Sequence, residues 1–367
     1  MARALSGRPP ATNRRAQRID RRWSRVKRLM TDTLASRKAS PGQTLLLTGA
    51  TGFVGRAAHD ALVEAGWQVR CGTRDVARAA AQWPTRSWAA FDAGSTDSVV
   101  RALEGCDAVV YLVHGMAAHH ADFRRAEIAQ ASRMAEAAAR AGVRRLVYLG
   151  GVASPEDPSE HLRSREEVGE VLRAGSVSTL ELRASMIVGH GSLSWTIVRD
   201  LAARLPVMVL PRWLKSRTQP VSIDDIVVAL VRAASLDHEG SAWFDVPGPD
   251  TLSGRQILEQ TADVLQVHQP LMIEVPLLSP RLSSHWVRLV TRAEWSVARE
   301  IVVGLKHDLL AKDDRFWHLA GHTALLSFQD SARRALAAEA ERGGPRGLWG
   351  QFESMRRGRV PQSATHA

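Results

Sequence analysis

The sequence predicts an α/β fold built on a doubly wound parallel sheet, with a smaller and mainly helical part toward the C-terminus. From residue 42 onward, short apolar runs alternate with amphipathic helical patterns, and a glycine-rich turn follows the first run. Strand–helix alternation is typical of a parallel sheet covered by helices on both faces. The runs DAVVYLV and RRLVYLG are apolar almost throughout, which indicates strands buried on both sides.

The predicted elements follow one another in regular order up to about residue 190, and the alternation loosens beyond it. After that point VSIDDIVVALVRAAS predicts a strand end and a helix capped by one aspartate of its Asp-Asp pair, and Ser253 is expected to cap a later helix. The predicted strands are TLLLTG, WQVRCGT, SWAAFD, DAVVYLV, RRLVYLG, STLELRA and SAWFDVPG. The first helices are predicted near residues 53–65, 95–104, 120–141 and 163–173.

The charge of the chain is concentrated at its N-terminus. Residues 1–40 carry 12 Lys and Arg against 2 Asp, whereas the remaining residues carry 37 basic and 36 acidic groups. Residues 41–367 are therefore nearly neutral, and their net charge does not favour specific nucleic-acid binding. In the basic arm, Ile19, Trp23, Val26, Met30 and Leu34 form a helical stripe. A helix with this stripe could lie on an anionic membrane, contact nucleic acid or serve as an organellar targeting peptide. The alternative is a solvated basic extension.

Composition favours a cytoplasmic protein, with peripheral membrane contact through the arm as an open alternative. No run approaches the roughly 20 apolar residues that span a bilayer. The start of the chain lacks the apolar core of a secretory signal. Two cysteines, Cys71 and Cys106, are too few for a disulfide framework, which fits a reducing compartment.

The strongest motif is the turn TGATGFVG between the first strand and the first helix. Gly49, Gly52 and Gly55 permit a sharp reversal and let backbone N–H groups approach a diphosphate, whose charge the helix N-terminus attracts. With a second strand starting at Trp67, this context predicts a dinucleotide site. No metal site is expected, because His114, His119 and His120 lack partners at ligand spacing.

These motifs resemble the short-chain dehydrogenase/reductase superfamily, and TGATGFVG has the form found in its extended and atypical members. The resemblance spans roughly residues 43–335 and is greatest to the NmrA-like branch, in particular its YbjT-like members, which bind NAD(P)H on a Rossmann fold. It rests further on FDAGSTDSVVRALEGCDAVVYLVHGM, RRLVYLGGV, HLRSREEVGEVLRAG, ELRASMIVGHGS, LPVMVLPRWL and QPVSIDDIV.

The resemblance implies a set of cofactor contacts at the ends of successive strands. Arg74 stands where an NAD site usually presents a carboxylate, so it favours pairing with the 2′-phosphate of NADP. NAD remains possible, because Asp75 could turn toward the ribose. The other implied contacts are Gly49, Thr51, Gly52, Phe53, Val54 and Gly55 at the diphosphate, Asp92 at the adenine, Leu112, Val113 and His114 along the ribose and nicotinamide, and Arg165.

The catalytic Tyr-x-x-x-Lys of this superfamily is missing from the chain. Its tyrosines are Tyr111 and Tyr148, and the residues four positions beyond them are glycine and valine. By pattern, His161 and Arg165 stand at the Tyr and Lys positions. His161 has the chemistry of a proton donor, but a guanidinium four residues away disfavours its charged form. The alternative is a helix-start histidine and arginine that face solvent or the cofactor.

The sequence therefore predicts an NADPH-dependent reductase of an apolar substrate, working without the usual dyad. The alternative is a non-catalytic NAD(P)(H)-binding redox sensor or assembly factor with a protein partner. The predicted segments are a basic arm over 1–41, an NAD(P)-binding domain over 42–265, a smaller substrate or partner part over 266–335 and a tail over 336–367.

Overall fold

The computed structural model describes residues 40, 42–113, 123–152, 160–205, 207–211, 215–275 and 307–343. No helix within these ranges is long and apolar enough to cross a membrane. The strands are β1 (Thr44–Leu47), β2 (Gln68–Thr73), β3 (Ser87–Ala90), β4 (Ala108–Tyr111), β5 (Arg145–Gly151), β6 (Ser178–Ala184), β7 (Ile187–Val188), β8 (Val207–Pro211), β9 (Arg217–Thr218), β10 (Val221–Ser222), β11 (Ala242–Asp245), β12 (Leu252–Ser253) and β13 (Leu271–Val275). The helices are α1 (Phe53–Glu64), α2 (Val76–Gln82), α3 (Thr96–Leu103), α4 (Phe123–Arg140), α5 (Glu160–Ala174), α6 (Leu193–Arg204), α7 (Ile223–Ser235), α8 (Gly254–Leu265), α9 (Arg315–Ala320) and α10 (Phe328–Gly343).

The central sheet has the strand order β11-β6-β5-β4-β1-β2-β3, and every neighbouring pair in it is parallel. Leu45, Leu46 and Leu47 of β1 are completely buried, as expected for a strand covered on both faces. Because β1 lies between β2 and β4, the direction of winding reverses there, and a crevice forms at the carboxyl ends of the strands. The predicted doubly wound parallel sheet is confirmed.

Helices bury one apolar core on each face of the sheet. On one face α1 and α7 contact each other and contribute Leu62 and Ile226 to the core. On the other face α3, α4 and α5 contribute Leu103, Met134 and Leu172. Burial of these side chains on the two faces fixes the sheet between its helices and holds the crevice edge in register.

A third core joins α6, α8 and α10 to the small parallel pair β8–β13. Trp195 is fully buried in it, its ring edge faces Phe328, and its indole N–H donates to Glu339 at 3.1 Å. Arg199 of α6 pairs with the same carboxylate at 2.5 Å. These two contacts with the Glu339 carboxylate therefore fix α10 against α6 within an otherwise apolar contact. The predicted segment boundaries, including the one between residues 265 and 266, stay predictions.

The predicted helices are observed with bounds that agree to within a few residues, and α6 was not predicted. The short helix α2 was not predicted, because VARAAAQ is only seven residues long and lacks a broad apolar stripe. It is initiated by Asp75, whose carboxylate accepts the Arg78 N–H at 2.9 Å.

Capping of the later helices is partly as predicted. Ser253 caps α8 in a capping box with Gln256, which confirms the prediction. The expectation that an aspartate caps α7 is wrong, because Ser222 is its cap. The two aspartates instead bind C-terminal residues, which are more than 90 positions away in the chain.

Both cysteines are buried and free, so we predict that neither reacts with a thiol reagent in the native protein. Burial raises the pKa of Cys71 from 9.0 to about 11 and raises that of Cys106. At pH 8 the thiolate fraction of Cys71 is then about a hundredfold below that of the unfolded chain. Since the folded pKa is the higher one, the thiol stabilises the fold below pH 9, and this contribution is lost as the pH rises toward 11.

The measurement is a thiol titration with a chromogenic disulfide at pH 8, in buffer and in urea. We expect no release in buffer and two equivalents per chain in urea. Rapid release of one equivalent by the folded protein would contradict the burial of its cysteine.

Candidate active site

The predicted cofactor residues follow the carboxyl ends of adjacent strands. The glycine-rich turn follows β1, Arg74 follows β2, Asp92 follows β3 and Leu112 follows β4. Because the strands are parallel and in register, these ends meet at a single edge of the sheet. His114 lies outside the described residues.

The β1–α1 turn is a tight backbone cradle that only glycine permits. Gly49 has a φ of +62°, and a Cβ there would lie 3.0 Å from the Leu112 carbonyl oxygen. At Gly55 a Cβ would lie 2.3 Å from the Gly49 carbonyl oxygen and 2.8 Å from Ala50 Cα. The first turn of α1 therefore packs directly on the turn, and its N–H groups point into the crevice.

Thr48 connects the cradle to the neighbouring strand. Its hydroxyl donates to the Val110 carbonyl at 3.3 Å and accepts the Leu112 N–H at 2.9 Å. This bridge fixes the chain after β4 against the turn after β1. Sequence reasoning passed over Thr48, although its position before Gly49 in TGATGFVG was the available signal.

The N-terminus of α1 carries a positive potential. Gly52 occupies the cap position and offers no side chain, and the first turn, which is fully described, contains no carboxylate. The orphan N–H groups and the helix dipole there favour an anion. Arg56 adds a formal charge nearby, with its Nε donating to the Gly52 carbonyl at 3.2 Å. This set of donors suits a diphosphate.

A second loop faces the cradle. Phe53 of α1 lies 3.2 Å from the position that a Cβ would take at Gly189, and Arg56 Nη2 lies 3.3 Å from the same position at Gly191. Gly191 has a φ of +90°, and Ser192 next to it caps α6. The loop after β7 therefore lies against the start of α1. The sequence offered only the glycines of VGHGS as a signal for it.

Arg74 and Asp75 have different surroundings although they are adjacent. Arg74 is exposed at the crevice edge, whereas Asp75 is committed as the cap of α2. The Asp75 N–H also donates to Thr73 Oγ1 at 3.3 Å. Its carboxylate is therefore held toward α2, which leaves Arg74 as the charged group presented after β2. Asp92 is exposed, and its carboxylate accepts the Gly94 N–H at 2.9 Å.

Arg165 reaches the crevice edge from α5. Its Cδ and Nη1 lie 3.5 and 3.8 Å from the position that a Cβ would take at Gly151, the last residue of β5. Its Nε is buried and has no hydrogen-bond acceptor in the described part of the chain. His161 is the second residue of the same helix, and its side chain lies outside the described part.

Neither tyrosine takes the place of the missing catalytic phenol. Tyr111 and Tyr148 are 2% exposed, pair across β4 and β5, and have ring centroids 6.2 Å apart. The Tyr148 hydroxyl donates to the Arg165 carbonyl at 3.2 Å. Burial raises the pKa of both phenols well above the usual range. Both belong to the core rather than to the crevice.

The residues of the crevice fit a nicotinamide dinucleotide. The glycine cradle leaves room that a Cβ would fill, the start of α1 supplies donors for a diphosphate, and the orphaned Nε of Arg165 requires an acceptor. In the described ranges no group of three His, Cys, Asp or Glu side chains could hold a metal ion. Fold and site together define an NAD(P)H-binding protein.

Comparison with known proteins agrees with this class. Residues 49–203 match a family model described as NAD(P)H-binding. Over 241 residues the chain is 32% identical to the (4-alkanoyl-5-oxo-2,5-dihydrofuran-3-yl)methyl phosphate reductase of Streptomyces griseus, covering 63% of this chain and 76% of that protein. The chain belongs to this NAD(P)H-binding family.

Two further proteins are more distant. The ceramide reductase of Caulobacter vibrioides is 27% identical over 214 residues, which cover 54% of this chain and 67% of that protein. The crystal structure of a Citrobacter triphenylmethane reductase complexed with NADP(H) superposes with a TM-score of 0.62 at 15% identity. It covers 80% of this chain and 99% of that one. At that identity the likeness shows the fold alone.

Substituting Gly55 by alanine is expected to abolish dinucleotide binding, because the added methyl group collides with two backbone atoms of the cradle. We expect at least a hundredfold loss of NADPH affinity by calorimetry. The control is Gly142→Ala, which meets no atom within 4 Å but has a φ of +72°. This variant should lose about 1 kcal/mol of stability and bind normally. Full affinity in Gly55→Ala would refute the cradle.

Proposed function

We propose that this protein is an NADPH-dependent reductase of an apolar substrate that carries an acyl chain. The observation that carries the proposal is a glycine cradle fitted to a diphosphate in a chain related to two reductases. One relative is named for an alkanoyl-bearing phosphate ester and the other for a ceramide. Both names designate molecules with acyl chains, and this supports the same substrate class here.

NADP is proposed over NAD because of the charge after β2. Arg74 is exposed there, and the nearest carboxylate, that of Asp75, is engaged at the start of α2. A guanidinium binds a 2′-phosphate through charge-assisted hydrogen bonds, whereas NAD sites usually present a carboxylate to the ribose hydroxyl. A site with a free arginine and an occupied aspartate therefore favours the phosphorylated dinucleotide.

A nicotinamide dinucleotide held by this crevice would provide hydride chemistry for reduction of an electrophilic carbon. The backbone of the β1–α1 turn and the start of α1 would hold the diphosphate. Leu112 and Val113 are the first two residues after β4, on the ribose and nicotinamide side of the proposed site. Arg165 provides a positive charge for oxygen that becomes anionic. A proton from water, from the substrate or from His161 completes the reduction. Neither buried tyrosine takes part.

A second candidate is a binding protein without turnover, a redox sensor or assembly factor whose partner affinity depends on NADP(H). It is favoured by the absence of Tyr-x-x-x-Lys from the sequence and by the burial of both phenols in the sheet. Both candidates use the same cradle. They differ in whether hydride leaves the cofactor.

Arg74→Glu should weaken NADPH at least a hundredfold and NADH less than threefold, because a carboxylate repels the 2′-phosphate alone. Calorimetric titration of both nucleotides measures this. The control is Arg101→Glu, the same charge reversal at an exposed residue in the last turn of α3. Equal losses for the two nucleotides, or an effect of the control as large as that of Arg74→Glu, would remove the argument for NADP.

Turnover is tested with NADPH deuterated at C4 and a panel of acyl-bearing ketones, enones and lactones. We expect deuterium in a product, and at least a tenfold lower kcat in Arg165→Met. Arg163→Met on the same helix is the exposed control. A normal rate in His161→Phe would assign the proton to water or substrate. If no product carries deuterium while NADPH binds, the sensor is the better description.

A further inference from the structure

The helix α5 carries Arg165 to the crevice, and three neighbouring elements hold that part of the helix. Ser164 is completely buried, and its hydroxyl donates to the Glu127 carboxylate of α4. The Arg165 carbonyl accepts the hydroxyl of Tyr148 on β5 at 3.2 Å. At Gly169 a Cβ would lie 2.5 Å from a buried carboxylate of β6, so the helix packs directly on that strand. Contacts from α4, β5 and β6 therefore fix α5 on either side of Arg165.

The Tyr148 hydroxyl is a buried donor, and its acceptor is the backbone of a crevice residue. Burial raises the pKa of this phenol, so the hydroxyl keeps its proton and remains a donor. A carbonyl oxygen has two lone pairs, so the Arg165 carbonyl accepts this bond without giving up its place in the helix. A buried hydroxyl that lacks an acceptor is destabilising, and the packed core therefore keeps this bond closed.

The side chain of Arg165 lies across the carboxyl end of the same strand. Its Cδ and Nη1 are 3.5 and 3.8 Å from the position that a Cβ would take at Gly151. Tyr148 and Gly151 both belong to β5, so this strand binds the backbone of Arg165 through one residue and leaves room for its side chain at the other. A displacement of α5 at this point would move the guanidinium within the crevice.

The guanidinium of Arg165 is the group whose placement matters in this part of the crevice. Its Nε is buried and has no hydrogen-bond acceptor among the residues that the structure describes. A donor of this kind binds an oxygen of the cofactor or substrate only if its position is set before the ligand arrives. Functional groups must be held to within about 0.5 Å of the productive geometry by residues that support them.

We infer that Tyr148 is a positioning residue, whose hydroxyl holds α5 at Arg165 and thereby places the Arg165 guanidinium in the crevice. The tyrosine transfers no proton and acts only through the arginine. The effect on turnover rests on the proposed function, whereas the effect on dinucleotide affinity does not require turnover. The alternative is a hydroxyl that stabilises the core alone, and its loss would then be independent of Arg165.

The test is a double-mutant cycle on the full chain with Tyr148→Phe, Arg165→Met and the two combined. Tyr148→Phe retains the ring, so the core stays filled. We expect it to lower NADPH affinity about threefold by calorimetry, and to lower kcat about fivefold with KM unchanged. In the Arg165→Met background the same substitution should change these quantities less than about twofold, because no guanidinium remains to be positioned. The matched control, Tyr111→Phe, removes an equally buried phenol oxygen from β4 and should change neither quantity.

Three outcomes would overturn the inference. They are equal losses from Tyr148→Phe with and without Arg165, a loss of the same size in the Tyr111→Phe control, and no loss in either quantity. Deuterium transfer from labelled NADPH is measured on the same samples. Coupling of the two residues in NADPH affinity without any deuterated product rejects the proposed function alone. Deuterated product together with additive effects of the two substitutions rejects the positioning role alone.

Discussion

The contact between the Gly49 carbonyl oxygen and Gly55 is the constraint on which the rest of the site depends. The first turn of α1 approaches the turn after β1 so closely that a single methyl group would collide with backbone. That approach directs the N–H groups of the helix into the crevice and places Phe53 against the loop after β7. The hydroxyl of Thr48 then fixes the chain after β4 to the same turn. This one close contact therefore positions the chain segments that follow β1, β4 and β7.

The site retains the glycine cradle, and the chain lacks the Tyr-x-x-x-Lys dyad that usually transfers the proton. Its positive groups are guanidinium side chains and backbone dipoles, which suit an anionic cofactor. The two phenols lie in the sheet, where burial keeps them protonated. Under the proposed function, a reaction in this crevice would depend on orientation and on electrostatic stabilisation by Arg165, with a proton from outside the usual dyad.

The C-terminal residues hold the far side of the crevice. Asp225 is buried at the start of α7 and binds His322 at 2.8 Å and the Leu326 N–H at 3.1 Å. Burial raises the pKa of this aspartate, and the hydrogen bonds to His322 and Leu326 oppose that rise. The preceding residue, Asp224, forms an ion pair with Arg334. Because Ile223 contacts Gly189, this clamp also supports the loop that faces the cofactor cradle.

The sequence by itself determined the parallel sheet, the position of the glycine cradle and the loss of the Tyr-Lys dyad. These features are local, since strand periodicity, the steric demand of a turn and a four-residue spacing are all visible in short stretches. The tertiary structure decided the rest. It paired the two aspartates of α7 with residues that lie 97 and 110 positions further along the chain. It engaged the Asp75 carboxylate at the start of α2, so that Arg74 is the charged group presented after β2. It also exposed one face of β8–β13. Such pairings depend on the path of the whole chain, and no local pattern records it.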